Sequence, residues 1–189
     1  MRLFQTGDLG VRRLQESDME VLAKWLSDPQ VLQYYEGRDR PHDAAKVREV
    51  FLPKTGDTGT SGCLVEWAGD PIGYIQFYAL DSESKAKYGY DPQESVYGMD
   101  QFIGETSCWG RGLGTRLVQG MTDYLREQIG ADRIVMDPQA WNERAIHVYE
   151  KCGYQKVKRL PKQEWHEGEM RDCWLIEYRA PTYKPLSNE

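Results

Sequence analysis

Cysteine and histidine are scarce in this 189-residue chain, which holds four of the first and three of the second. Cys63, Cys108, Cys152 and Cys173 form no CxxC pair and have no histidine at ligand spacing, so the pattern of a zinc ribbon and that of a disulfide framework are both missing. They read as free thiols. His42, His147 and His166 stand far apart, and His166-Glu167-Gly168-Glu169-Met170 lacks the second histidine that a metalloprotease helix requires. No metal is expected. Long apolar runs are absent as well, and the mean hydropathy is -0.71, so no segment is expected to span a bilayer. Residues 1–10 carry no signal-peptide pattern, which makes the cytoplasm the expected compartment. Basic charge is in deficit, with 24 Lys and Arg against 30 Asp and Glu and a net charge of -6. A protein that binds nucleic acid by neutralising phosphates needs the opposite balance. An acidic chain suits a cationic ligand instead.

What is present is the composition of one globular domain: 40% hydrophobic, 12% aromatic and 29% charged residues. The domain is expected over residues 1–180, with 181–189 as a tail. Leu9 to Leu14 reads as a strand, and Ser17-Asp18-Met19-Glu20 as a capping box before a helix carrying Val21, Leu22, Trp25 and Leu26, which Asp28-Pro29 ends. A short aromatic stretch, Val31 to Gly37, is followed by a helix from Asp43 to Leu52 and a loop from Lys54 to Gly62. Strands are predicted at Cys63 to Ala68 and Ile72 to Ala79, joined as a hairpin through Gly69-Asp70-Pro71, and at Val96 to Ile103 after a polar segment over 81–95. Leu113, Leu117, Val118, Met121, Leu125 and Ile129 mark one face of a helix. Arg133 to Asp137 is a strand, Asn142 to Lys151 a helix closed by Gly153, and Tyr154 to Leu160 and Cys173 to Tyr178 the last strands. The order β-α-α-β-β-β-α-β-α-β-β argues an α/β (α+β) fold with a mixed sheet.

Between a strand and a long helix stands Trp109-Gly110-Arg111-Gly112-Leu113-Gly114-Thr115. Such a loop aims successive backbone N–H groups at one point, the helix adds its positive end and Arg111 a charge, so a pyrophosphate is well held there. The same residues also make a simple tight turn before a helix. Neither of two familiar nucleotide motifs fits: no Gly-Lys-Ser/Thr follows, and Gly110-x-Gly112-x-x-Thr115 lacks the third glycine of the dinucleotide fingerprint.

Taken with the strand before it, the strand ending at Asp137-Pro138 and the helix from Asn142 to Tyr154, this loop resembles that of the GNAT (GCN5-related) acetyltransferases. There an R/Q-x-x-G-x-G/A loop binds the pyrophosphate of acetyl-CoA; Trp109 stands where that family often has Gln or Arg. Tyr97-Gly98-Met99-Asp100-Gln101-Phe102-Ile103-Gly104-Glu105, Asn142-x-Arg144-Ala145-Ile146, and His166-Glu167-Gly168 leading to Asp172-Cys173 look like the aminoglycoside 6′-N-acetyltransferases, as do Lys24-Trp25-Leu26 and Gly37-Arg38-Asp39. Within them the likeness is to the acetyltransferase half of the bifunctional acetyltransferase–phosphotransferase resistance enzyme, without its kinase half. The resemblance covers nearly the whole chain.

It implies a GNAT-like, mostly antiparallel sheet flanked by helices, and acetyl transfer from acetyl-CoA to an aminoglycoside 6′-amine by direct attack in a ternary complex. It also implies that Gln101, Phe102, Ile103, Gly110, Arg111, Gly112, Leu113, Gly114, Thr115, Asn142, Ala145 and Tyr149 contact acetyl-CoA. The chemistry needs a deprotonated amine, a polarised carbonyl and an acid for the leaving thiolate. Asp100, an acid in a strand where Asp is depleted, is the candidate base, and Tyr149 the candidate general acid. Helix packing is the competing reading for Tyr149, and a solvated acid for Asp100. A polycationic sugar requires carboxylates along a cleft, for which Asp137, Asp172 and Glu167 or Glu169 are candidates, with Asp81, Glu83, Asp91 and Glu94 adding to the field. Tyr35 and Glu36, beside Tyr34, complete the expected substrate contacts, with Phe51 a weaker aromatic candidate. Two alternatives stay open: a GNAT acting on a protein N-terminus, a polyamine or a siderophore, and a non-catalytic module binding CoA or an aminoglycoside.

Overall fold

The N-terminal third builds one edge of the sheet and one helical layer. In the computed structural model, which describes residues 1–52 and 59–180, β1 (Arg2–Thr6) and β2 (Leu9–Arg13) form a hairpin. Only the second strand was expected; β1 is half exposed and short of apolar residues, so alternation does not betray it. The N-cap position of α1 (Met19–Trp25) is Asp18, not Ser17, and its side chain makes no bond to that helix; it closes a capping box with Gln15 on the short turn Glu16–Asp18 instead. Its carboxylate accepts the Gln15 N–H at 2.8 Å and two bonds from the Arg12 guanidinium at 2.8 Å, because it lies buried beneath the helix start. Asp28 does not merely end that helix: it caps α2 (Pro29–Leu32) by accepting the Gln30 N–H, with Pro29 at the first helical position. Asp43 caps α3 (Ala44–Phe51) in the same way.

The loop expected over 54–62 lies mostly outside the described residues, as does the expected tail at 181–189. Its last residues belong instead to β3 (Thr60–Trp67), which turns into β4 (Asp70–Ala79). The polar segment after it contains an unexpected helix, α4 (Ser82–Tyr88), capped by Asp81. Then follow β5 (Val96–Ile103), α5 (Leu113–Tyr124) extended by a wider turn over Leu125–Ile129, β6 (Arg133–Met136) and α6 (Glu143–Lys151). The last two strands are longer than expected: β7 (Gln155–His166) and β8 (Glu169–Arg179) meet at a two-residue turn, so the stretch between the two expected strands, 161–172, is the far end of a hairpin. It hid because β7 is a sheet edge whose residues are mostly exposed and polar.

Among the described residues, eight strands form one sheet in the order β1-β2-β3-β4-β5-β6-β8-β7, in which β5 and β6 alone run parallel. This is the expected mixed, mostly antiparallel α/β sheet. Period-two alternation divides the core. Ile75, Phe77 and Met99 point to the face covered by Leu113, Leu117, Val118 and Met121 of α5. Tyr74 and Phe102 point to the other, covered by Leu22, Trp25, Leu26, Val47 and Phe51, which makes Phe51 a core residue rather than a ligand contact. All four cysteines are free and buried. No described helix is long and apolar enough to cross a membrane.

One irregularity positions everything that follows. Parallel pairing of β5 with β6 stops at Gly98 opposite Val135, yet β5 continues to Ile103 while β6 ends at Met136. The strands part, and a wedge opens outside their C-terminal ends, where ligands bind in sheets with parallel strands.

Candidate active site

The wedge is the inner wall of a cleft of about 850 Å³ lined from α2, β4, β5, the glycine loop, α6 and β7. Asp100 sits in it two residues past Gly98, the last residue of β5 paired with β6. The register with β4 sets Gln76 directly opposite, and the Gln76 side-chain N–H donates to the Asp100 carboxylate at 2.9 Å. Gly98 is the next residue on that face and lies opposite Tyr78. A Cβ there would meet the Tyr78 ring at 2.5 Å, so only glycine leaves room for the ring, whose hydroxyl also reaches Asp100. Burial raises the Asp100 pKa above the usual aspartate value, against the lowering effect of these two hydrogen bonds.

More carboxylates converge there. Asp137, at the end of β6, has its pKa pushed up to about 6 by burial first and by the Asp100 charge second, while a 3.1 Å hydrogen bond from Gln163 opposes the shift. Glu164 on β7 is raised by desolvation and by the charges of Asp137, Asp100 and Glu36. Glu36 lines the same wall in a left-handed conformation, φ 69°. Tyr35 is tilted against Phe102 at 4.7 Å between ring centres and lines the cleft beside it.

Tyr149 of α6 faces this cluster across the wedge. Gln101 donates its side-chain N–H to the Tyr149 hydroxyl at 2.8 Å, and burial drives the phenol pKa well up, so the hydroxyl keeps its proton. The Gln101 Oε1 is buried with no partner.

At the other end Gly110 and Gly112 take φ 75° and 74°, conformations that suit glycine, and α5 begins at Leu113. A Cβ added at Gly110, Gly112 or Gly114 would meet nothing within 4 Å, so the loop faces open space. The first-turn amides of a helix have no intrahelical acceptor, and with its positive end they make a seat for an anion. Asn142 caps α6 by accepting the Ala145 N–H at 3.2 Å, and both residues line the cleft.

Of the expected contacts, the cleft gathers Tyr35, Glu36, Asp100, Gln101, Phe102, Ile103, Gly110, Gly112, Leu113, Gly114, Thr115, Asp137, Asn142, Ala145 and Tyr149. Two stand elsewhere. The Arg111 guanidinium lies 5.4 Å from the Trp67 ring centre on β3 and does not line the cleft. Asp172 is outside as well: it accepts the Lys162 N–H at 2.9 Å and two Arg159 bonds at 3.1 Å, which lower its pKa. The hairpin turn spends Glu167 in the same manner, in a bidentate pair with Arg38 that holds its pKa down at about 2, and Glu169 pairs with Arg171. Asp81 is a cap and Glu94 pairs with Arg133.

Sequence reasoning missed Gln76, Tyr78, Gln163 and Glu164, because nothing local marks them; the strand pairing of β4 and the overlooked length of β7 bring them in. Of an aromatic wall it foresaw Tyr34 but not the partners Trp109, Trp141 and Arg144. Tyr34 stacks on Trp141 at 5.7 Å and meets Trp109 edge-on at 5.9 Å, while Arg144 of α6 lies 4.7 Å from the Trp109 ring centre.

A cleft with carboxylates at one end and an anion seat at the other is suited to bring a cation against an anionic partner. The chain matches the family model described as Acetyltransferase (GNAT) domain over residues 15–161. It is 29% identical over 147 residues to an aminoglycoside N(6′)-acetyltransferase type 1 of Klebsiella pneumoniae, covering 77% of this chain and 73% of the relative. The crystal structure of the aminoglycoside acetyltransferase AAC(6′)-Ib in complex with coenzyme A and kanamycin superposes with a TM-score of 0.76 at 26% identity, over 90% of this chain and 94% of the other. A spermidine N-acetyltransferase from Vibrio cholerae, at 16% identity, shares the fold with a TM-score of 0.76, over 92% and 96% of the two chains.

Proposed function

The chain belongs to the GNAT acetyltransferases, and from that premise we propose that it acetylates the 6′-amine of aminoglycoside antibiotics in a ternary complex and so confers resistance to them. The observation that carries this reading is the meeting of a carboxylate cluster and a glycine-loop anion seat in one cleft, with Asp100 where β5 leaves β6. A ligand with several ammonium groups matches Glu36, Asp100, Asp137 and Glu164 better than a ligand with one.

Acetyl-CoA, the co-substrate, supplies an activated thioester carbonyl. The open face of the loop fits its diphosphate, which the amides from Gly110 to Thr115 would hold. The unpaired Gln101 Oε1 and the β5 backbone groups that have lost β6 would accept and donate to its amide arm, beside Phe102, Ile103, Asn142 and Ala145.

Asp100 takes the proton from the incoming ammonium, freeing a lone pair for attack on the carbonyl; its raised pKa brings it nearer to the operating pH than an ordinary aspartate. Tyr149, kept neutral by burial, donates its hydroxyl proton to the departing sulfur, and the second proton shed by the nitrogen as the amide forms restores the phenol. The Gln101 N–H on the phenol oxygen steadies the charge left behind. Asp137 and Glu164 hold further ammonium groups, and Tyr35 offers an aromatic wall.

A thiol-release assay with acetyl-CoA tests this reading. Turnover is expected with kanamycin-type sugars bearing a 6′-amine and is expected to be lost with the matching 6′-hydroxyl sugar. Release only with spermidine or a peptide amine would move the acceptor to another class, and ligand binding without release would make the protein a binding module.

A further inference from the structure

We propose that Arg144 is the cation that grips the diphosphate of acetyl-CoA, in place of the glycine loop's own Arg111. The inference rests on the cofactor reading above and concerns which charge completes it. Arg111 is bonded into the loop, but its guanidinium is laid over Trp67 on β3, away from the cleft. Backbone amides alone carry no net charge, and although Arg40 and Lys151 also line the cleft, neither lies over the Trp109 ring beside the loop.

Arg144 meets the need by geometry. It lies in the first turn of α6, lines the cleft, and holds its guanidinium 4.7 Å from the Trp109 ring centre and 5.8 Å from that of Tyr34. Trp109 directly precedes Gly110, so the stack carries the charge to the first residue of the glycine loop. The ring is itself fixed: its indole N–H donates to the Ile103 carbonyl at 2.8 Å, and Tyr34 closes on it edge-on. No described carboxylate takes Arg144 in an ion pair, unlike Arg12, Arg38, Arg126, Arg133, Arg159 and Arg171. An arginine stacked on a tryptophan and left without a counter-ion keeps its five planar donors for an anion.

Calorimetry of CoA binding by the whole protein tests the proposal without requiring an acceptor. Arg144→Ala is expected to weaken CoA about 10- to 100-fold, the range for a hydrogen-bonded charge. The same loss is expected with dephospho-CoA, which keeps the diphosphate. kcat/KM with S-acetylpantetheine, which has no phosphate, should change by less than about twofold. Arg144→Lys is expected to recover part of the affinity, since it keeps charge but not the planar stack, and Trp109→Leu should weaken CoA in a manner not additive with Arg144→Ala. Equal losses for CoA and S-acetylpantetheine would show a packing role and overturn the proposal. So would an unchanged CoA affinity, or a loss that vanishes with dephospho-CoA, which would move Arg144 to the 3′-phosphate. Failure of the unaltered protein to bind CoA would instead sink the acetyl-CoA reading itself.

Discussion

The two ends of the cleft are made in opposite ways. The glycine-loop end comes from one short stretch, Trp109 to Thr115, and acts through backbone amides whose positions follow from two left-handed glycines and a helix start. The acidic end is assembled from Glu36, Asp100, Asp137 and Glu164, which belong to four separate parts of the chain, and it acts through side-chain charge. Backbone donors are rigid and carry their dipoles without a desolvation cost that depends on protonation. Clustered carboxylates do carry such a cost, and that is why burial lifts Asp100, Asp137 and Glu164, with repulsion from neighbouring carboxylates adding to it at Asp137 and Glu164. One end is thus expected to be insensitive to pH and the other to titrate, with Asp137 at about 6.

The largest effect should come from the residue at the junction. Asp100→Asn is expected to lower kcat/KM for a 6′-amino sugar by roughly 10²- to 10⁴-fold, the usual weight of a general base, while calorimetry shows CoA affinity nearly intact. Equal damage to both would erase the distinction between the ends. Next is pH itself. Asp137 titrates at about 6 and Asp100 is also raised, so both lose their charge as pH falls. A kcat/KM profile for the sugar should drop by about tenfold per pH unit below that range, with the CoA dissociation constant flat across it. Gly112→Ala places a side chain at φ 74°, at a conformational cost of about 1–2 kcal/mol. It should raise the acetyl-CoA KM about tenfold and leave the sugar KM unchanged.

Asp137→Asn should do the converse, raising the sugar KM about fivefold, less than the loss of a whole hydrogen-bonded charge because the Asn side chain keeps an acceptor oxygen. It carries a stability signature too. A carboxyl group whose folded pKa is raised gives stability below its unfolded pKa and loses it as pH rises through about 6. The Asn variant should therefore melt above the unaltered protein at pH 8, and the gap should narrow as pH falls below about 6 and close only near the ordinary aspartate value, about 4. The smallest effect belongs to Asp172→Asn: with the carboxylate tied to Arg159 and Lys162 outside the cleft, both KM values should move by less than about twofold.

The same contrast explains what could be read before the fold was known. Glycines with positive φ before an apolar-striped helix are a local pattern, and so is an acid in a strand; these put the loop and Asp100 in view. The central strands and long helices were legible for the same reason. Glu164 was not, because β7 is a polar edge strand whose pairing with β8 depends on a distant partner. Asp172 and Arg111 had the right chemistry at neighbouring positions, but strand alternation and the stack on Trp67 turned them elsewhere. Side-chain direction is a tertiary property, and no spacing rule reports it.

The claim that two ends of one cleft serve two ligands at once is tested most directly by titrating kanamycin into protein saturated with CoA. One kanamycin is expected to bind per chain in the presence of CoA, more weakly at pH 5 than at pH 7.5. Loss of kanamycin binding on CoA saturation, or affinity that ignores pH, would contradict it.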